Sequence, residues 1–364
     1  MIEGKFGKRN YKFTHRHRLD EIPFLEAMKK RKRSFLSKFP NGEEIAISVW
    51  TTPKRTKTPP WPRIYYTLPH DGKKFTIIPV QASYGRYGDQ NIIQPNTISW
   101  ITAIADIYVI IGIYAHAERR AKGAPSANTK SSKQSTQGNM VFTKFQYQLD
   151  EIVNQITEIV KTNPDVNLWN QAQIHKIPML LKRSTDYNKK LGKKLGVEVQ
   201  NFSNLERKIK DWKDHNTFLN EFDERSVSAQ NREYNSSQKL ENIPGKKGIV
   251  NINVPDFPKL HLTVDSMKDD PNKKIVYLLE GKNSTRDEFP EKDMVLEQLV
   301  KLMVFKNCDF HIKGKAYDKQ LTCYVTGKGK PPIDKIKEKY QEIIDECNAN
   351  KIQFVFNRKV ISKN

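Results

Sequence analysis

From residue 249 onward the apolar positions change period several times. "IVNINV" and "KLHLTVDSM" alternate apolar and polar residues, the pattern of half-buried strands. "KDDPNKK" has the composition of a turn. "IVYLLEGK" opens with a continuous apolar run, as expected of a central strand. "DMVLEQLVKLMVF" repeats apolar residues at Val295, Leu299, Leu302 and Met303, which predicts a helix. "QLTCYVTGK" predicts a strand, "PIDKIKEKYQEIIDECN" a helix and "IQFVF" a last strand. Three strands, a helix, a strand, a helix and a strand predict a mixed α/β core.

Upstream the period is helical. "FQYQLDEIVNQITEIV" places Phe145, Leu149, Ile152, Val153, Ile156 and Val160 on one helix face. Helical patterns continue to about residue 240 and become more polar after Asn204, until "ENIPGKKG" breaks them. Nearer the N-terminus, "RIYYTL" and "FTIIPVQAS" read as strands around the turn "PHDGKK". "ISWITAIADIYVIIGIYA", Ile98 to Ala115, reads as one buried helix rather than a membrane span, because it carries Asp106. "MKKRKRSFLSKF" reads as a basic helix end and "PKRTKTPPWP" as a loop. "SANTKSSKQSTQGN" is a polar linker or mobile loop. The expected organisation is an N-terminal α/β region over 1–125, a linker over 126–140, a helical region over 141–245 and the α/β core over 246–364.

Charge narrows the partners. Among 364 residues, 63 Lys and Arg face 41 Asp and Glu, a net charge of +22, which favours polyanions such as nucleic acid. Cys308, Cys323 and Cys347 are far apart and odd in number, which fits neither a disulfide framework nor a zinc knuckle. "MIEGKFGKRNYKF" has no apolar signal core, so a reduced cytosolic protein is expected. There is no phosphate-binding Gly-x4-Gly-Lys-Ser/Thr, and His15 and His17 lack metal-ligating company.

An acid followed two residues later by Lys occurs five times, at Glu3, Asp71, Glu206, Asp211 and Glu280. Only Glu280 and Lys282 end an apolar strand, where residues i and i+2 share a face. Acids and amines are seldom buried unless paired or used. Asp265 lies fifteen positions upstream, and the intervening turn brings its strand back beside Glu280. Two carboxylates so close call for a cation between them, and Mg²⁺ suits oxygen ligands. Asp265, Glu280 and the Gly281 carbonyl are the candidate ligands, with Lys282 to orient and help deprotonate a water.

This arrangement resembles the active site of the PD-(D/E)XK nucleases: Asp on one strand and Glu-x-Lys on the next, followed by a helix and a strand. Asp265 follows Val264 rather than Pro. A literal Pro-Asp stands at Pro255–Asp256, so Asp256 is the alternate acid. "LLEGKNSTRDEFPEKDMVLEQLVKLMVF" and "FTIIPVQASYGRYGDQNIIQPNTISWITAIADIYVIIGIYAHAE" look like blocks of type II restriction endonucleases. The resemblance implies a PD-(D/E)XK core with a central mixed sheet flanked by helices. It also implies Mg²⁺-dependent cutting of double-stranded DNA at a short sequence in a prokaryotic cytoplasm. A companion methyltransferase is implied, and a palindromic target would favour a homodimer. Candidate DNA contacts are Arg86, Gln90 and Asn91 in the glycine-rich loop, Lys301 on the helix after the motif, and Lys313 and Lys315 in a basic segment. A repair-type nuclease of the same fold and a non-catalytic nucleic-acid-binding protein are the alternatives.

Overall fold

The structure, a computed structural model, describes residues 2–15, 17–39, 41–50, 61–80, 94–119, 135–137, 140–142, 147–199, 201–212, 214–235 and 243–362. The chain forms two compact units. One comprises Met1–His17, Ser99–Ala105 and Asp223–Asn364; the other comprises Arg18–Ile98 and Asp106–Phe222. These units do not part at the expected boundaries near 125, 140 and 245, because the first residues of the chain belong with the last.

The unit made of Arg18–Ile98 and Asp106–Phe222 holds a four-stranded sheet of β2 (Ser34–Lys38), β3 (Glu44–Val49), β4 (Lys74–Val80) and β5 (Tyr108–Ile113), in that order. β2 and β3 form an antiparallel hairpin, whereas β3, β4 and β5 run parallel. Parallel neighbours need long crossovers. That requirement explains two differences from the sequence reading. "RIYYTL" falls within a helix, α2 (Trp61–Thr67), between β3 and β4. The long apolar run from Ile98 is half helix and half strand: α3 (Pro95–Ile104) ends before β5 begins, and β5 is buried throughout. The basic stretch after Met28 closes α1 (Phe24–Lys29) and continues as β2. Among the described residues no helix is long and apolar enough to cross a membrane.

The core of this unit joins Phe35, Ile47, Phe75 and Ile110 to Ile152, Ile156 and Ile159 of α4 (Leu149–Thr162). Three short strands, β6 (Glu118–Arg119), β7 (Ser135–Gln137) and β8 (Met140–Phe142), pair in the order β6-β8-β7. Of the expected linker, only Ser135–Gln137 and Met140 lie within the described residues. The helical middle continues through α5 (Val166–Leu195), α6 (Ser203–Asp211) and α7 (His215–Asn235). α5 closes the outer edge of β5 with side chains. Asn170 accepts from the Val109 N–H at 2.9 Å and donates to the Ile107 carbonyl at 2.9 Å, and the Trp169 indole donates to the Val109 carbonyl. One amide side chain thus stands in for a missing strand.

The other unit is built on a sheet of nine strands among the described residues. They are β1 (Ile2–Phe6), β9 (Gly248–Asn253), β10 (Leu260–Val264), β11 (Ser266–Asp270), β12 (Ile275–Asn283), β13 (Cys308–Ile312), β14 (Lys315–Thr326), β15 (Ile352–Phe356) and β16 (Lys359–Val360). The order is β10-β9-β1-β13-β14-β12-β11, with β15 also on β14 and β16 on β15. β12, β14 and β15 run parallel, with α8 (Lys292–Lys306) and α9 (Ile333–Ala349) in the crossovers. The unit is mixed α/β with a central mixed sheet, as its periodicity predicts.

Two features differ from the sequence reading. β1 is a central strand, parallel to β9 and antiparallel to β13. The residues after it are held by asparagines: Asn307 accepts from the Asn10 N–H, and Asn350 pairs with both backbone groups of Lys12. "KNCDFHIKGKAYDKQ" contains a hairpin, β13 and β14, turning at Lys313 and Gly314, both at positive φ.

Asn170→Ala is expected to destabilise the unit containing it by about 2 kcal/mol, because two buried backbone groups lose their partner. Urea denaturation of the variant beside wild type measures the loss.

Candidate active site

β10 pairs with β9 as far as Val264, opposite Gly248, and β11 pairs with β12 from Ser266, opposite Leu279. Asp265 is the single residue between them, where the chain changes partner. Alternation carries through this point, so "KLHLTVDSM" reads as one strand, yet it serves two pairings. The Asp265 side chain continues the pairing that the backbone abandons. Its Oδ2 accepts the Gly281 N–H at 2.8 Å. A carboxylate is thereby pinned one residue from Glu280. Asp256 is at the other end of β10, exposed in a turn with φ of 64°. Asp269 and Asp270 end β11, and Asp270 accepts two N–H groups of the turn that follows.

On β12, Val276, Leu278 and Glu280 are buried and share a face. Glu280 is 4% exposed. Its parallel neighbour is Cys323, also buried. α8 supplies Lys301, mostly buried, with its Nζ 2.8 Å from Glu280 Oε1. The Lys301 ammonium is the close polar partner of this buried carboxyl and hydrogen-bonds to it. Burial pushes the Glu280 carboxyl up; Lys301 opposes this, and the Asp265 and Glu233 carboxylates add to it, leaving the group at about 8. Lys301 is held above its ordinary value: burial works against its charge, but Glu280, Asp265 and Glu233 outweigh it. Lys301 therefore stands against Glu280, with the charges of Asp265 and Glu233 acting on both.

Gly281 separates the acid from the amine because of what lies above it. A Cβ there would overlap the end of the Ile243 side chain. Lys282 is half-buried, on the same face as Glu280, and its ammonium makes no ion pair or hydrogen bond among the described residues. The E-G-K triplet thus has three distinct environments: a covered acid, a close approach and a half-exposed amine.

Glu233 escapes a reading of the sequence. It lies in a polar helical stretch. The clue is Gln230. This residue of α7 is buried and donates to the Leu262 carbonyl at 2.7 Å and to Asn251 Oδ1 at 3.1 Å. Asp223, one heptad earlier, meets His261 of β10 at 2.8 Å. Glu233, i+3 from Gln230, is exposed, and its charge acts on Glu280 and Lys301.

The remaining candidates do not gather here. Lys313 and Lys315 are exposed at the start of β14, whereas Glu280 is level with Cys323, roughly 25 Å further along the strand. Arg86, Gln90 and Asn91 lie outside the described residues. Lys301 is in the site rather than on an open face.

Among the described residues no three His, Cys, Asp or Glu side chains are gathered tightly enough to hold a metal ion. The donor chemistry nevertheless fits a hard cation. Asp265, between β10 and β11, and Glu280, on β12, are oxygen donors held close by the Asp265–Gly281 hydrogen bond, and a cationic group already stands against Glu280 Oε1. Comparison with protein-family models, with curated proteins and with solved structures finds no match for this chain.

Proposed function

We propose that this chain is a Mg²⁺-dependent endodeoxyribonuclease of the PD-(D/E)XK type, acting on double-stranded DNA as a type II restriction endonuclease. One observation carries the reading: the strand changes partner at Asp265, and this residue's carboxylate is pinned beside Glu280 with Lys282 two residues on. The crossover from β12 through α8 to β14 supports it, as does the net charge of +22. A companion methyltransferase and a two-fold dimer belong to the same proposal.

Asp265 and Glu280 would hold Mg²⁺, with the Gly281 carbonyl as a further ligand. The ion, when bound, supplies positive charge to a phosphate oxygen and acidifies a water. Lys282 orients the attacking water and sets its charge against the negative charge growing on phosphorus-bound oxygens. As the water oxygen bonds to phosphorus the water gives up a proton to solvent, one ester P–O bond breaks, and the leaving oxygen takes up a proton from solvent. Lys301 holds Glu280 in place and offsets its charge once it ionises. The buried face of β12 keeps this carboxyl away from bulk water, so its attraction for cations is weakly screened.

Digestion of unmethylated phage DNA with Mg²⁺ tests the reading, with EDTA as the control. Discrete fragments are expected from wild type, and a rate loss of about 10²-fold or more from Lys282→Ala and Glu280→Ala. A smear would instead indicate a structure-specific nuclease, and intact DNA with a salt-sensitive gel shift a binding protein.

A second expectation concerns stability without metal. Glu280 keeps its proton in the folded protein up to about 8, whereas the unfolded chain releases it near the ordinary 4.5. Between these values the folded state binds the extra proton, so wild type loses stability as pH rises. Glu280→Gln lacks this loss. In EDTA the variant is expected to gain on wild type from about pH 5 to about pH 8, by a few kcal/mol as an order of magnitude. Thermal unfolding at both pH values reads the difference.

A further inference from the structure

β14 and β15 end level with one another, Val325 opposite Phe356, and a cavity of about 590 Å³ opens at their carboxyl ends. The floor is apolar: Pro331 and Pro332 expose its surface, with Tyr324, Ile336 and Phe356 buried beneath. The rim is cationic. Lys330, Arg358 and Lys359 are exposed around the mouth, none of them ion-paired among the described residues, and no carboxylate lines the cavity.

Arg358 is costly where it stands. Asn357 and Arg358 form the two-residue loop between β15 and β16, with φ of 46° and 69°. Hairpin loops with both residues at positive φ favour Gly at the second position. A long side chain there carries a backbone cost, as it does at Arg31, Lys274, Lys313 and Lys351 in other turns of this chain. Here it brings Arg358 into the lining of the cavity.

The mouth is also fixed in shape. The Asn357 side chain donates to the Gly327 carbonyl at 3.2 Å and the Gly329 carbonyl at 2.9 Å, and accepts the Gly327 N–H at 3.1 Å. The loop carrying Lys330 is thus clamped to the turn carrying Arg358, so little ordering remains to be done on binding. The cavity adjoins the catalytic strand as well. Thr326, in its lining, donates to Asn283 Oδ1 at 2.8 Å, and Asn283 follows Lys282.

We propose that this cavity takes one nucleotide of a DNA strand, its base on the apolar floor and its phosphate on the basic rim. That the nucleotide belongs to DNA rests on the nuclease reading. An inorganic anion would use the rim and leave the floor bare. A nucleotide uses both, and its size suits a pocket of this class.

The test is calorimetric titration of the full chain in EDTA with thymidine 5′-monophosphate, thymidine and inorganic phosphate. Wild type is expected to bind the nucleotide saturably, at least about tenfold more tightly than thymidine or phosphate alone. Arg358→Gly is expected to raise the melting temperature, by relieving the turn, and to weaken nucleotide binding about tenfold. Lys359→Gln is expected to weaken it without that gain in stability. An oligothymidylate should displace the mononucleotide. The proposal is overturned if wild type shows no saturable binding, if phosphate binds as well as the nucleotide, or if both variants retain full affinity. A strand that fails to displace the mononucleotide overturns the assignment to DNA. Cleavage plays no part in EDTA, so a failed digestion beside a successful titration removes the nuclease and leaves the cavity.

Discussion

A carboxyl group on the helix-covered face of a sheet is poorly placed as an anion, and the surroundings of Glu280 answer that constraint. Water is excluded by α8, and the ammonium of Lys301 replaces it on one side only. Asp265 and Glu233 make matters worse rather than better, since each adds negative charge. Two apolar side chains in place of Glu280 and Lys301 would pack at least as well, because a buried ion pair gains little over hydrocarbon once desolvation is counted. Stability alone therefore does not explain the arrangement. A group held out of its ordinary protonation range by burial and by like charges is characteristic of sites that bind cations or move protons.

The strand's change of partner at Asp265 is the mechanical half of the same arrangement. An antiparallel ladder would normally continue with a backbone carbonyl opposite the Gly281 N–H. Here the carbonyl's task passes to a side-chain oxygen. The chain is therefore free to leave β9 for β12, and the carboxylate that makes this possible is fixed by the backbone of the strand it serves. Position and pairing are one event, so Asp265 cannot drift from Glu280 without loss of a hydrogen bond.

Asparagine does comparable work elsewhere. Asn170 closes the edge of β5, Asn307 and Asn350 hold the segment after β1, and Asn357 joins two loops at the sheet end. In each case one side-chain amide supplies a donor and an acceptor with the spacing of a peptide group. Irregular chain can then run beside a sheet without orphaning buried polar groups. The cavity at the ends of β14 and β15 owes its fixed rim to the last of these.

Period and turn chemistry by themselves determined most of the elements from 249 to the end, since burial on one face imposes a repeat of two or of about 3.6 whatever the neighbours. They also singled out Glu280 and Lys282, because a charged pair ending an apolar strand is anomalous in the sequence itself, and they placed Asp265 beside the turn. Pairing was beyond their reach. Alternation runs unbroken through Asp265, so a change of partner leaves no trace in it. "RIYYTL" has strand-like residues, but two parallel strands required a crossover helix there. β1 is five residues long with a glycine inside, too short and too polar to announce a central strand. The charge of Glu233 acts on Glu280 only because a buried glutamine one turn earlier docks its helix. The elements are local and were legible; the partners are set by hydrogen bonds and packing between distant residues, and only the tertiary structure decided them.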